Sequence, residues 1–252
     1  MTEFVVKKFE TVKMINPIMI EGLPGIGNVA RASIDYLVNK LKARKIIELF
    51  SDVFPNSVTI NDDSTIKMFS IEFYHTKING RDLLLVSGDI QPTGDSESYA
   101  LCKKIIELAK ELGVSELVTL GGIGLPEPPD EPRVHVIINN ESIKESLNGL
   151  DVIFDGNETV KIVLGAAGLL LGIASLEEIN AFSLLAETIN QSQHVGVKEA
   201  KKILTVITKY LGFKLDFDEL DDEIKSYEEE LKEESRLAGL ADNNTIRQCY
   251  IG

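Results

Sequence analysis

Apolar and polar residues switch repeatedly between two periods along most of the chain. Pro17–Glu21 is a short apolar run, a predicted strand, that closes in the glycine-rich Gly22-Leu-Pro-Gly-Ile-Gly-Asn28. Val29, Ala30, Ile34, Leu37, Val38 and Leu41 then recur at helical spacing and predict a helix over Asn28–Leu41. Lys45–Phe50 reads as a strand. Thr65–Ile78 and Asp82–Ser87 read as a strand pair joined at Asn79-Gly80, the residue pair that most strongly signals a tight hairpin. A helix over Ser96–Leu112 is expected to stop at Gly113. Glu116–Leu120 and Val134–Asn139 read as strands. Ala166–Ala174, Glu177–Asn190 and Lys198–Leu211 read as helices, the last stopping at Gly212. Strands alternating with helices predict an α/β three-layer sandwich around a mainly parallel sheet with an inserted antiparallel hairpin.

The pattern changes near Phe213. Residues 216–234 hold eleven acids and two lysines, and Phe217, Leu220, Ile224, Tyr227 and Leu231 are spaced three and four apart. That spacing draws a narrow apolar seam along one side of an acidic helix, suited to lie on its own body or on another subunit. These five residues are the candidates for an oligomer interface. The chain is expected to divide into a body over 1–213, an acidic amphipathic helix over 214–238 and a flexible tail over 239–252.

The 252 residues include 40 acids against 26 basic residues, a formal charge of −14. That balance argues against nucleic acid or an anionic membrane as the main partner, since both call for clustered Lys and Arg. The most apolar stretch, Ile162–Leu176, is shorter than the ~20 residues of a spanning helix. Cys102 and Cys249 stand far apart in sequence, as in a reducing, cytoplasmic setting. Cys102 falls on the periodic face of a helix with Ile105 and Ile106 and reads as core.

Candidate chemistry is sparse. Gly25-Ile-Gly-Asn-Val-Ala30 follows a strand and opens a helix, with Glu48 closing the next strand, as in a dinucleotide fold. The same glycines equally serve close packing. Asp89, Asp95 and Glu97 sit at a strand end, where they suit a general base or Mg²⁺, and where Asp95 or Ser96 equally suits helix capping. Thr119–Pro126 is another glycine-rich strand end, followed by a stiff proline loop with Arg133 and His135 positioned to meet an anion. His75, His135 and His194 lie in separate segments without metal-ligand spacing, and no nucleophile elbow or phosphate loop occurs. No catalytic residue, cofactor or metal site is therefore expected.

Five motifs in order carry a resemblance. Gly22-Leu-Pro-Gly-Ile-Gly-Asn28, Gly88-Asp-Ile-Gln-Pro92 through Tyr99, Leu120-Gly-Gly-Ile-Gly124, Gly165-Ala-Ala-Gly-Leu-Leu-Leu-Gly172 and Leu185-Ala-Glu-Thr188 resemble the proteasome assembly chaperone family, most of all its archaeal and bacterial branch. The resemblance spans about residues 15–235. It implies a three-layer α/β sandwich related to nucleoside phosphorylases. It also implies a non-enzymatic assembly chaperone or adaptor, homo-oligomeric or joined to a related family member, acting on the proteasome α-subunit ring. Members that bind proteasomes carry a C-terminal hydrophobic–Tyr–any motif. Cys249-Tyr250-Ile251 fits it, with Gly252 following, and is the implied contact. The rival reading is a nucleotide- or nucleoside-binding protein that uses the glycine-rich strand–helix loops.

Overall fold

The computed structural model describes residues 2–154, 159–190 and 194–226. The chain separates into two units, residues 1–215 and 216–252, each described by itself.

The first unit is built on an eight-stranded sheet. Its strands are β1 (Phe4–Lys8), β2 (Ile18–Glu21), β3 (Arg44–Ser51), β6 (Ile71–Ile78), β7 (Arg81–Gly88), β8 (Glu116–Leu125), β9 (Val134–Ile138) and β10 (Asn180–Ile189), and a separate hairpin pairs β4 (Val58–Ile60) with β5 (Ile66–Met68). The spatial order is β1-β3-β6-β7-β2-β8-β10-β9. The expected parallel character occupies the centre, where β7, β2, β8 and β10 run together. β6, β3 and β1 continue antiparallel on one side and β9 on the other, so the sheet is mixed.

Alternating side chains send the central strands into two layers. Met19, Leu84, Val86 and Leu117 join α2 (Asp95–Glu111) and α3 (Gly165–Leu176) in one core cluster that includes Cys102, Ile105 and Leu170. The intervening residues, Ile18, Ile20, Leu85 and Val118, are equally buried and face the other layer, α1 (Val29–Lys40) packed on α4 (Val197–Leu211). The fold is thus α/β with helices on both sheet faces, as the pattern predicted.

The local stop signals act where they were read. Asn79 and Gly80 take φ of 52° and 82° in the β6–β7 turn, and Gly113 and Gly212 take φ of 77° and 69° just beyond α2 and α4. Three elements differ from expectation. Glu177–Asn190 is not a helix: Asn180–Ile189 is strand β10, parallel to β8 and antiparallel to β9. Residues Ala181 to Ala186 are all buried, so both faces of the strand are covered and no period of two survives to distinguish it from a buried helix. Thr65–Ile78 is two strands broken at Phe69-Ser70. β8 continues to Leu125, because Gly121 and Gly122 let β10 and the Ile26 turn approach closely.

In the second unit, residues 218–226 are helical. Leu220 is buried, Phe217 and Ile224 are half-buried, and the intervening acids are mostly exposed. Tyr227 and Leu231 lie outside the described residues, as do Cys249, Tyr250 and Ile251.

Candidate functional site

β2 ends at Glu21 beside Thr119 while β8 and β10 run on together to Leu125 and Ile189, and the residues around this stepped sheet edge line a cavity of about 330 Å³. Ends of parallel strands are where open α/β sheets form crevices. All five motifs noted in the sequence reach this cavity. Leu23, Gly25 and Ile26 come from the first, Gln91 from the second, Leu120 to Gly124 from the third, Gly165 to Ala167 from the fourth and Leu185 from the fifth. The remaining wall is Glu21, Ala30 and residues 159–164, the last leading into α3.

Backbone approach needs two of those glycines. A Cβ on Gly122 would stand 2.4 Å from the Ile26 carbonyl oxygen, and one on Gly22 2.4 Å from that of Ala30. Two polar side chains then organise the rim. Gln91 Oε1 accepts from the Ala166 amide at 2.9 Å while its Nε2 donates to the Pro24 carbonyl, tying the first loop to the start of α3. Thr119 Oγ1 donates to the Ala167 carbonyl at 3.1 Å. At the α3 N-terminus the N-cap residue Leu164 offers no capping side chain, and Gln91 Oε1 takes the Ala166 amide instead.

Glu21 forms part of the cavity wall. It closes β2 with register partners Val86 and Thr119, neither of them charged. Its side chain is on the same face as Met19, toward α2 and α3, and only 1% of the residue is exposed. Oε1 accepts from the Leu23 amide at 2.9 Å; Oε2 has no hydrogen-bond partner. Burial pushes the carboxyl up to about 8, opposed in part by the Leu23 N–H, so the acid is neutral at pH 7. The Cys102 thiol is pushed up to about 12, first by burial and then by the Glu21 charge.

The acid of the dinucleotide reading does not join this loop. β6 and β7 stand between β3 and β2, which sets Glu48 roughly 14 Å away at normal strand spacing. Glu48 is engaged instead by Lys45 at 3.4 Å. Asp89 accepts from Lys67, Arg31 and the Ser70 amide. Asp95 opens α2 behind Gly94 without a side-chain capping bond, and Glu97 accepts from Ser96. The anion that meets Arg133 and His135 is internal: the buried Glu187 carboxylate, 2.5 Å from Arg133 Nη2 and 3.1 Å from His135 Nε2. Burial alone would raise Glu187, but the Arg133 and His135 bonds outweigh it and hold the carboxyl below its ordinary range. His75 pairs with Asp82 at 2.8 Å, and His194 with Glu199 at 3.1 Å. Among the described residues no group of three or more His, Cys, Asp or Glu could hold a metal, and no helix is long and apolar enough to cross a membrane.

Sequence reasoning missed Glu21 as a site residue. The available signal was an acid ending a strand whose other residues are apolar. Gln91 was read only as part of a motif, because its two partners are distant in sequence.

Comparison with known proteins places these features in a family. The model of the PAC2 family matches residues 19–235. The uncharacterised protein MJ1210 of Methanocaldococcus jannaschii is 30% identical over 244 residues, 92% of each chain. The crystal structure of Pyrococcus furiosus PbaB, an archaeal proteasome activator, superposes with a TM-score of 0.87 at 36% identity, covering 93% of this chain and 100% of that one. Pyrococcus furiosus PbaA, an archaeal homologue of proteasome-assembly chaperone, shares the fold with a TM-score of 0.76 at 23% identity, covering 98% and 99%.

Proposed function

This chain belongs to the PAC2 family, and we propose that it is a non-enzymatic assembly chaperone or adaptor of the proteasome α-subunit ring in the cytoplasm. The observation that carries this reading is the similarity to PbaB at 36% identity over nearly the whole of both chains. Residues 1–213 serve as the body, which associates with further copies or with a related family member. In the acidic segment 214–238, the seam of Phe217, Leu220, Ile224, Tyr227 and Leu231 lies at the subunit contact. Residues 239–252 form the tail, with Cys249-Tyr250-Ile251 as the contact to the α ring.

The test mixes the full chain with free α subunits or α rings and follows co-elution on size exclusion. A Tyr250→Ala variant is run beside it. Co-elution that weakens on loss of the Tyr250 ring supports the reading. No association of the intact chain with either α species overturns it, and association indifferent to Tyr250 removes the tail from the mechanism.

A further inference from the structure

The β4–β5 hairpin turns its apolar side away from the body. Paired residues of an antiparallel ladder share a face, so Val58, Ile60, Ile66 and Met68 stand together on one side, and Thr59 and Lys67 on the other. The polar side is the one tied down. Lys67 Nζ lies 3.0 Å from Asp89 and 3.9 Å from Glu72. Both acids are fixed in turn, Asp89 by Arg31 and the Ser70 amide, Glu72 by Lys45 and the Tyr74 hydroxyl. The apolar side is left in water: Val58 is 45% exposed, Ile60 76%, Ile66 68% and Met68 56%. Among the described residues β4 and β5 pair only with each other. A two-stranded hairpin with its apolar face uncovered is marginal on its own, and a contiguous group of exposed apolar side chains marks an interaction site.

Charge and geometry select the occupant. Residues 52–66 contain three acids, Asp52, Asp62 and Asp63, and no Lys or Arg. The Thr65 hydroxyl and amide hold Asp63 below its ordinary carboxylate range, so it is ionised at neutral pH. A second copy would set these acids against its own, in a chain that already carries a charge of −14. Four side chains also fall short of the ~800 Å² that each partner gives a stable interface. The face offers side chains only, because the hairpin's backbone groups point along its ladder and its outer edges. A segment lying on that face has to satisfy its own N–H and C=O groups, as a helix does.

We propose that the apolar face of the β4–β5 hairpin docks an amphipathic basic helix of another protein. The apolar stripe of that helix covers Val58, Ile60, Ile66 and Met68, and Lys or Arg beside the stripe meets Asp62 and Asp63 at the tip. The Lys67 ion pairs keep the polar side on the body and so fix which face is offered.

The probe is a two-heptad peptide of Leu and Lys in amphipathic helical order. Its controls are the same composition scrambled and a twin with Glu in place of Lys. Each is titrated into the full chain and followed by NMR of isotope-labelled Ile, Val and Met methyls. A cationic peptide also meets the acidic residues 216–234, and the residue-resolved signal separates the two sites. The amphipathic Lys peptide is expected to shift Val58, Ile60, Ile66 and Met68 at lower concentration than either control. Ile60→Thr combined with Ile66→Thr removes two exposed contacts, and binding read at Val58 and Met68 should weaken about tenfold or more. Asp62→Asn combined with Asp63→Asn should weaken it about fivefold and reduce the preference for Lys over Glu. Equal shifts of the four methyls by the scrambled peptide or the Glu twin overturn the proposal. So do shifts confined to other residues, or undiminished binding by the double Thr variant. Proteasome subunits enter none of these titrations, so failure here leaves the chaperone reading standing, and failure of that reading leaves this result intact.

Discussion

Glu21 lowers the stability of this fold as pH rises from about 4.5 to about 8, and a residue that cannot ionise there should abolish that contribution. The unfolded carboxyl loses its proton near 4.5, whereas the folded one holds it to about 8. Between those values the native state binds one proton more than the unfolded state. Each pH unit in the window therefore favours unfolding, by about 1.4 kcal/mol. Below the window the group costs nothing, and above it the loss levels off. Integrated from pH 5 to pH 8, the wild type loses roughly 3 kcal/mol relative to a variant that cannot ionise at this position. Glu21→Gln is that variant: nearly the same size, still able to accept the Leu23 amide, and without a titrating proton. Urea unfolding of both proteins, at half-unit steps from pH 5 to 8.5, reads the difference as a shift in midpoint at common slope. The difference is expected to grow steadily in favour of Gln, cancelling every other titration the two chains share. Its absolute offset depends on how the amide N–H groups settle, so the slope is the diagnostic. Parallel curves would refute the argument, because they would mean that Glu21 ionises in the fold as easily as in the unfolded chain.

Other perturbations have more local readouts. Arg133→Gln leaves the Glu187 carboxylate buried with His135, and should cost about 2 kcal/mol at neutral pH by urea unfolding. Because Glu187 is held below its ordinary value, the loss should shrink as pH falls through the carboxylate range. Gly122→Ala forces a methyl against the Ile26 carbonyl oxygen at 2.4 Å and should cost more than about 2 kcal/mol. Gly80→Ala meets open space and only has to hold φ of 82°, so a cost of about 1 kcal/mol is expected; equal losses would contradict the packing argument. Ile60 and Ile66 face each other across β4 and β5, 76% and 68% exposed. Replacing either by Thr should move the unfolding midpoint by less than about 0.5 kcal/mol, and a larger loss would show that the hairpin is packed in solution.

What could be read from the chain alone follows from how far each signal reaches. The Asn79-Gly80 turn, the Gly113 and Gly212 stops and α4 depend on residues a few positions apart, and each forms where its local chemistry requires. β10 escaped because the information that makes it a strand lies in β8 and β9. Without those neighbours, Ala, Leu and Glu in an unbroken apolar run read as helix. The cavity is the stronger case. The five motifs were visible as separate glycine-rich turns, none of them specific, and their meaning comes from β2 lying between β7 and β8 with β10 next. That order brings all five to one edge, hangs α3 from Gln91 75 residues away, and leaves a carboxyl at the end of β2 sealed from water. A strand-end acid read in isolation belongs to solvent. Only the sheet order makes Glu21 neutral, and the same order removes Glu48 from the first loop, so one topological fact both sets the protonation of the strand-end acid and withdraws the dinucleotide reading.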